Sequence, residues 1–321
     1  MNQISSTLLE ELRTHSEPAL RYFALQNLFD CDPDERDLSL ARWDLPNSAL
    51  IRSLCAFDPS LHPYQKWNGA HWRLVQLAEL RYPYTNPALE EPRAQVYAWL
   101  TSERHIASIR TLEGRTRRCA SQEANAVYAS VRLNMVDEQT EALVKKLLGW
   151  QWPDGGWNCD KRPEASHSSF WESWTPLRAL LTWKVHAGSS TALDEAIAKS
   201  VQFFLRKQLF LRESSGEPMQ LEFTRLHQPA YWKYDVLVGL ELMRLAGKLE
   251  DPRCEPALAL LEGKMQPGGG FRAEEKQFQA ANPAAWHYSP VDWGSPSANK
   301  WNPWLTVRAL AILKAAGRIS F

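Results

Sequence analysis

The sequence is poor in cysteine and has no excess of charge of either sign. Its five cysteines, Cys31, Cys55, Cys119, Cys159 and Cys254, are odd in number and scattered, and no two form a C-x-x-C pair. This argues against a disulfide framework or a structural zinc knuckle, and reads as reduced thiols. The 37 basic and 37 acidic side chains leave no net charge on 321 residues. No broad electrostatic attraction to nucleic acid or anionic lipid is therefore expected. No uncharged apolar run approaches the roughly 18 residues needed to span a bilayer. The N-terminal stretch MNQISSTLLEELRTHSEP is polar and acidic, with no basic segment leading into an apolar one. The expectation is a cytoplasmic chain without a secretory signal. The glycines at 268–270 lack any surrounding P-loop or dinucleotide fingerprint, and almost nothing alternates as a strand would.

What is present in quantity is tryptophan, fifteen residues against five methionines and nine tyrosines. Tryptophan buries a large area but wants a partner for its indole N–H, which suits pockets and half-wet surfaces more than simple core filling.

Helical periodicity dominates the chain. It predicts helices over 19–29, 71–81, 88–100, 122–133, 138–149, 175–186, 192–207, 233–246, 255–264 and 303–316. Asn302-Pro303 and Thr175-Pro176 place a capping residue before a proline at the first helical position. Gly188, Gly247 and Gly317 follow helices where a left-handed C-cap is useful. Trp72, Tyr128, Trp174, Tyr234 and Trp304 stand early in successive hydrophobic helices, 46 to 70 residues apart. With a helix pair at 18–54 these make about six helical hairpins. An open solenoid of helix pairs is the plainer alternative.

Residues 147–157, LLGWQWPDGGW, fit L-x3-Q-x3-G-x-W from Leu147 through Gln151 and Gly155 to Trp157. Residues 261–271, LEGKMQPGGGF, repeat the frame with Met265 for Gln and Phe271 for Trp. A glutamine ending an outer helix can bond the backbone of a neighbouring hairpin, and glycines allow the tight turn that follows. On these residues the sequence resembles the terpenoid cyclase and protein prenyltransferase superfamily, and within it the small single-domain bacterial prenyltransferase-like (squalene-cyclase-like) proteins. The resemblance covers roughly residues 60–317. It implies an all-α fold, an α/α toroid of inner and outer helix rings carrying QW repeats. Residues 59–321 would form the toroid, and residues 1–58 a helix pair packing on or completing the ring.

Three long loops, 152–170, 206–230 and 266–300, then lead into inner helices at one end. Two enter the same pattern, His167-x3-Trp171-x2-Trp174 and His227-x3-Tyr231-x2-Tyr234, and the third keeps Trp301 and Trp304. Positions three apart share a helical face, so these aromatics are expected at the mouth of a central cavity. Asp235, Glu172, His167 and His227 are the catalytic candidates, because a carboxylate beside aromatic rings tends toward a raised pKa and suits a general acid. The alternative role for Asp235 and Glu172 is to cap or pair at helix starts, where the dipole favours them. Trp72, Tyr128, Trp171, Trp174, Tyr231, Trp232, Tyr234, Trp301, Trp304, His287 and Asp292 are the ligand-binding candidates.

The D-x-D-D motif of class II terpene cyclases is absent, and the acid-rich DCDPDERD at 30–37 reads as a solvated connection. The Asp, Cys and His zinc triad of prenyltransferase β subunits is not reproduced at the helix starts, so no cofactor is expected. A weaker metal alternative uses Cys159, His167 and His227. Two enzyme readings follow. One is an isoprenoid-directed enzyme, in which aromatic rings stabilise developing cationic charge. The other is a carbohydrate-active or sugar-binding barrel, with Lys233, Arg178, Lys300 and Asn302 between stacking rings. A third reading is a non-catalytic lipid- or peptide-binding toroid. The expected partner in each case is a small apolar or glycan ligand, with membrane-surface contact and a partner subunit left open.

Overall fold

Each helix that periodicity predicts is formed in the computed structural model, which describes residues 4–83 and 87–321. In chain order the helices are α1 (Ser6–Arg13), α2 (Pro18–Asn27), α3 (Arg36–Asp44), α4 (Ala49–Cys55), α5 (Ala70–Glu79), α6 (Glu90–Leu100), α7 (Glu103–Ala107), α8 (Ser121–Arg132), α9 (Glu138–Trp150), α10 (Phe170–Ala187), α11 (Thr191–Arg206), α12 (Val236–Leu245), α13 (Glu255–Gly263) and α14 (Pro303–Ala315). Among the described residues the strands β1 (Arg110–Leu112) and β2 (Arg115–Arg117) form a single antiparallel hairpin. The protein is all-α in class, and no described helix is long and apolar enough to cross a membrane.

The chain divides into two units. The first comprises residues 1–56, 208–230 and 235–321, and the second comprises 57–207 with 231–234. In the second unit α8 packs against both α5 and α10, making an inner file, while α6, α9 and α11 pair with α5, α8 and α10 as a flanking layer. Burial follows the layers. Residues 70–78 of α5 are buried on every side, whereas α11 buries only a stripe containing Leu193, Ile197, Val201 and Phe204. Helix α5 is buried all round although it carries His71, Arg73 and Gln76, whereas α11 is amphipathic and covers its neighbour with one face. In the first unit α2 packs on α1, α3 and α14, and α12 on α13 and α14.

Polar residues mark the helix starts. Asp137 and Thr140 close a capping box on α9, Ser190 caps α11, and Asn302 caps α14 ahead of Pro303 as the sequence predicts. Gly188, Gly247 and Gly317 take positive φ at helix ends, also as predicted. Two helix starts differ from expectation. Helix α10 begins at Phe170, so Pro176 lies inside it rather than at its first position. A proline there removes one helix hydrogen bond and crowds the carbonyl four residues back, while Ser173 in the first turn accepts from Trp157 N–H. Helix α12 begins at Val236, because the Asp235 side chain accepts from the Val238 N–H and stops the helix from extending backward. Tyr231, with φ of 52°, and Tyr234 therefore precede the helix and share no helical face.

The two glycine-rich turns are built alike. Trp152 N–H donates to Gly156 O and Gly155 N–H to Trp152 O; Gln266 N–H donates to Gly270 O and Gly269 N–H to Gln266 O. In each, a hydroxyl three residues into the next helix holds the aromatic. Ser173 Oγ accepts from Trp157 N–H at 2.9 Å, and Thr306 Oγ1 from Phe271 N–H at 2.9 Å. In the first turn Gln151 Nε2 donates to Gly155 O and to Ala196 O of α11, while Trp157 Nε1 donates to Leu147 O. Ser173→Ala would leave the buried Trp157 N–H without its acceptor. It is expected to cost about 2 kcal/mol, read as a lowered urea midpoint.

Candidate functional site

Backbone pairing brings two cysteines together that are forty positions apart in sequence. Arg117 bridges to Asn158 in parallel, and Arg118 N–H donates to Asn158 O at 3.1 Å. Cys119 and Cys159, the next residues on these paired segments, thereby become neighbours. The Cys119 thiol donates to Cys159, which raises the first and lowers the second from their ordinary values. Glu172, in the first turn of α10, completes the group. Its carboxylate accepts from Ser121 N–H at the start of α8 (3.3 Å) and from the Cys159 thiol (3.7 Å). Burial pushes Glu172 above the usual carboxylate range, against the hydrogen bonds from Ser121 and Cys159. One ligand atom from each of Cys119, Cys159 and Glu172 lies within 4.8 Å of the others, and all three residues are half-buried.

An aromatic assembly stands in the same unit. Trp67 stacks on Tyr231 with ring centres 3.8 Å apart, and Trp72 meets Trp67 edge-on at 4.7 Å. Tyr64 packs on Trp72 at 5.1 Å and on Trp99 at 5.3 Å. Burial, with a contribution from the Glu172 charge, holds the Tyr64 phenol well above its ordinary value. Trp171 and Trp232 meet edge-on at 5.2 Å, and the Lys66 ammonium lies 4.9 Å from the Trp232 ring and 5.2 Å from that of Trp67. Burial lowers Lys66 below the usual amine value.

His71 lies beside this assembly, 1% exposed, with neither ring nitrogen hydrogen-bonded among the described residues. Burial alone lowers its pKa to about 3. A histidine that resists protonation when folded weakens the fold as pH falls below its unfolded value near 6.5, and the loss continues down to the folded value. Between pH 6.5 and 5 the loss is about 2 kcal/mol. His71→Leu is expected to flatten that acid limb in urea titrations, and an unchanged limb would contradict the assignment.

Other sequence candidates in this unit have structural employment. Trp174 Nε1 donates to Trp232 O at 2.9 Å, and Tyr234 packs on Phe170 and Phe204. Tyr128 and Trp174 receive the Arg178 guanidinium at 3.8 and 4.6 Å, while Arg178 also pairs with Glu79 and Asn125. His167 is exposed, with its carbonyl accepting from Asn158 Nδ2.

In the first unit, Asp235 is fully buried and pairs with His227 Nδ1 at 2.9 Å while capping α12. Burial alone would raise Asp235, but the His227 ring, Arg308 and the Val238 N–H hold it below the usual carboxylate range. His227 Nε2 is buried with no hydrogen-bond partner among the described residues. Trp304 packs on Phe23 and Trp293, and Trp301 lies against Gly270. Asp292 is exposed and accepts from Gly294 N–H, and half-buried His287 offers its carbonyl to Gln279 N–H. The metal alternative of Cys159 with His167 and His227 is not among the ligand groups found in the described residues. The residues grouped around Cys159 are Cys119 and Glu172.

Sequence reasoning passed over Cys119, Tyr64, Trp67, Trp99 and Lys66. The tryptophan surplus pointed toward two of them, but nothing in spacing ties position 119 to 159. The chain matches no family model, no curated protein and no solved structure.

Proposed function

We propose that the chain is an α/α-toroid protein of the terpenoid-cyclase and prenyltransferase-like kind, and an enzyme acting on an isoprenoid or other apolar ligand. The carrying observation is the clustering, in one unit, of Trp67, Trp72, Tyr64, Tyr231, Trp171 and Trp232 with the half-buried Glu172 group. Rings of this kind offer apolar area and faces that attract developing cationic charge. The two-layered packing of α5 to α11 and the twice-built glycine turn support the repeated hairpin from which such a fold is made. Reaction would centre on Glu172. Asp235 serves the fold in this reading, because capping α12 and pairing with His227 commit both carboxylate oxygens.

Two of the polar groups that a sugar site would use are committed elsewhere. Arg178 pairs with Glu79 and Asn125, and Asn302 caps α14 and donates to Trp293 O. That favours the apolar ligand over the glycan. Titration with farnesol, followed by tryptophan fluorescence, is expected to saturate, whereas cellotriose leaves the emission unchanged. Trp232→Ala should weaken farnesol binding about tenfold. A response to cellotriose alone would overturn the reading in favour of the sugar-binding one.

A further inference from the structure

We propose that Cys119, Cys159 and Glu172 form a binding site for a thiophilic divalent cation of the zinc type, with a fourth coordination position open. The inference stands on its own geometry, independent of the ligand proposed above. Its donors come from two paired loop segments and the first turn of a helix, so three separate pieces of backbone converge on one point. Zinc–sulfur bonds of about 2.3 Å and zinc–oxygen bonds of about 2.0 Å in a tetrahedron place neighbouring donor atoms about 3.5 Å apart. The Cys159 Sγ to Glu172 Oε1 separation of 3.7 Å is already close to that, and the whole triad closes within 4.8 Å.

The donor set selects the metal. Two thiols and one carboxylate suit zinc and its softer neighbours, whereas magnesium and calcium prefer oxygen alone. Coordination requires thiolates and a carboxylate, so the thiol protons leave to solvent as the ion binds. The resulting excess negative charge faces two cations: Arg118, which acts on Cys119 and Glu172, and Lys66, which acts on Cys119. Arg118 is itself held by Glu123 and Gln122, so its guanidinium stays in place. Three protein ligands with a vacant fourth position are the arrangement in which zinc polarises a bound oxygen.

The test uses the full chain, treated with chelator and then kept in a phosphine reductant. Cobalt(II) is expected to produce a thiolate-to-cobalt charge-transfer band saturating at one equivalent, and zinc to displace it. In the same wild-type protein, zinc should slow iodoacetamide labelling of Cys119 and Cys159 by about tenfold while leaving Cys31 and Cys55 unchanged, as peptide mass mapping would show. Glu172→Gln should weaken zinc binding at least about tenfold, and Cys119→Ser should diminish the band by removing one of its two thiolates. The absence of a charge-transfer band in fully reduced wild-type protein would overturn the proposal. Zinc protection of Cys31 or Cys55 instead of the pair would do the same. Farnesol titration of the metal-free protein reads the apolar-ligand proposal separately, so either can fail alone.

Discussion

Gly155→Ala is expected to destabilise the 57–207 unit by about 4 kcal/mol or more, enough to leave much of it unfolded. The position has φ of +101°, outside the region an L side chain adopts readily, and an added Cβ would run into the Lys199 carbonyl, 2.7 Å from its carbon. That obstacle is backbone of α11 and cannot rotate away. Two matched substitutions calibrate the result. Gly269→Ala, at φ of +105° in the equivalent turn, meets side-chain carbons alone, those of Ile4 at 3.0 Å and Leu8 at 3.3 Å, which can move, and should cost about 2 kcal/mol. Gly114→Ala, at φ of +68° with nothing within 4 Å, should cost about 1 kcal/mol. Urea denaturation followed by circular dichroism gives the order. A Gly155 variant no weaker than the Gly114 one would show that the turn is not fixed by contact with α11.

Asp235→Ala is the second large effect, at about 3 kcal/mol. The substitution removes the cap on Val238 N–H, removes the acceptor for His227 N–H, and leaves the buried His227 Nδ1 without its carboxylate. Asp235→Asn keeps an oxygen for the cap and should lose about half as much. The pH dependence gives a second readout. A carboxyl held below its ordinary value of 3.8 contributes stability that is complete above that value and lost as pH falls through the folded one. The alanine variant should therefore lack part of the wild-type acid limb below pH 3.8. Equal stability of wild type and Asp235→Ala would mean that α12 is held by packing alone.

Asp235 and Glu172 show what local sequence leaves undecided. Both stand beside aromatic residues at helix starts, so both offered the same two readings, capping group or reactive acid. Local sequence could not separate them, because the difference lies in what approaches from elsewhere in the chain. At Asp235 the approaching groups are His227 and the first turn of α12, which use up the carboxylate. At Glu172 they are Ser121 N–H and the Cys159 thiol, which leave it half-buried among reactive side chains. The histidines paired by spacing part in the same way: His227 is 1% exposed against Asp235, and His167 faces solvent.

Helices, their caps and the glycine turns were readable along the chain because their causes are local. Apolar spacing, a proline behind an asparagine, and glycine at positive φ act within a few residues of one another. The segment from Leu147 to Trp157 could be read even to the role of Gln151, since its partners lie one turn and one hairpin away. Cys119 beside Cys159 is a different kind of fact. It follows from a bridge between Arg117 and Asn158 and from the packing of α8 on α10, contacts between segments that nothing in their spacing relates. Periodicity sets which face of a helix is buried. Which reactive groups meet once those faces are buried depends on how separate helices pack, and that placed the thiols and Glu172 together.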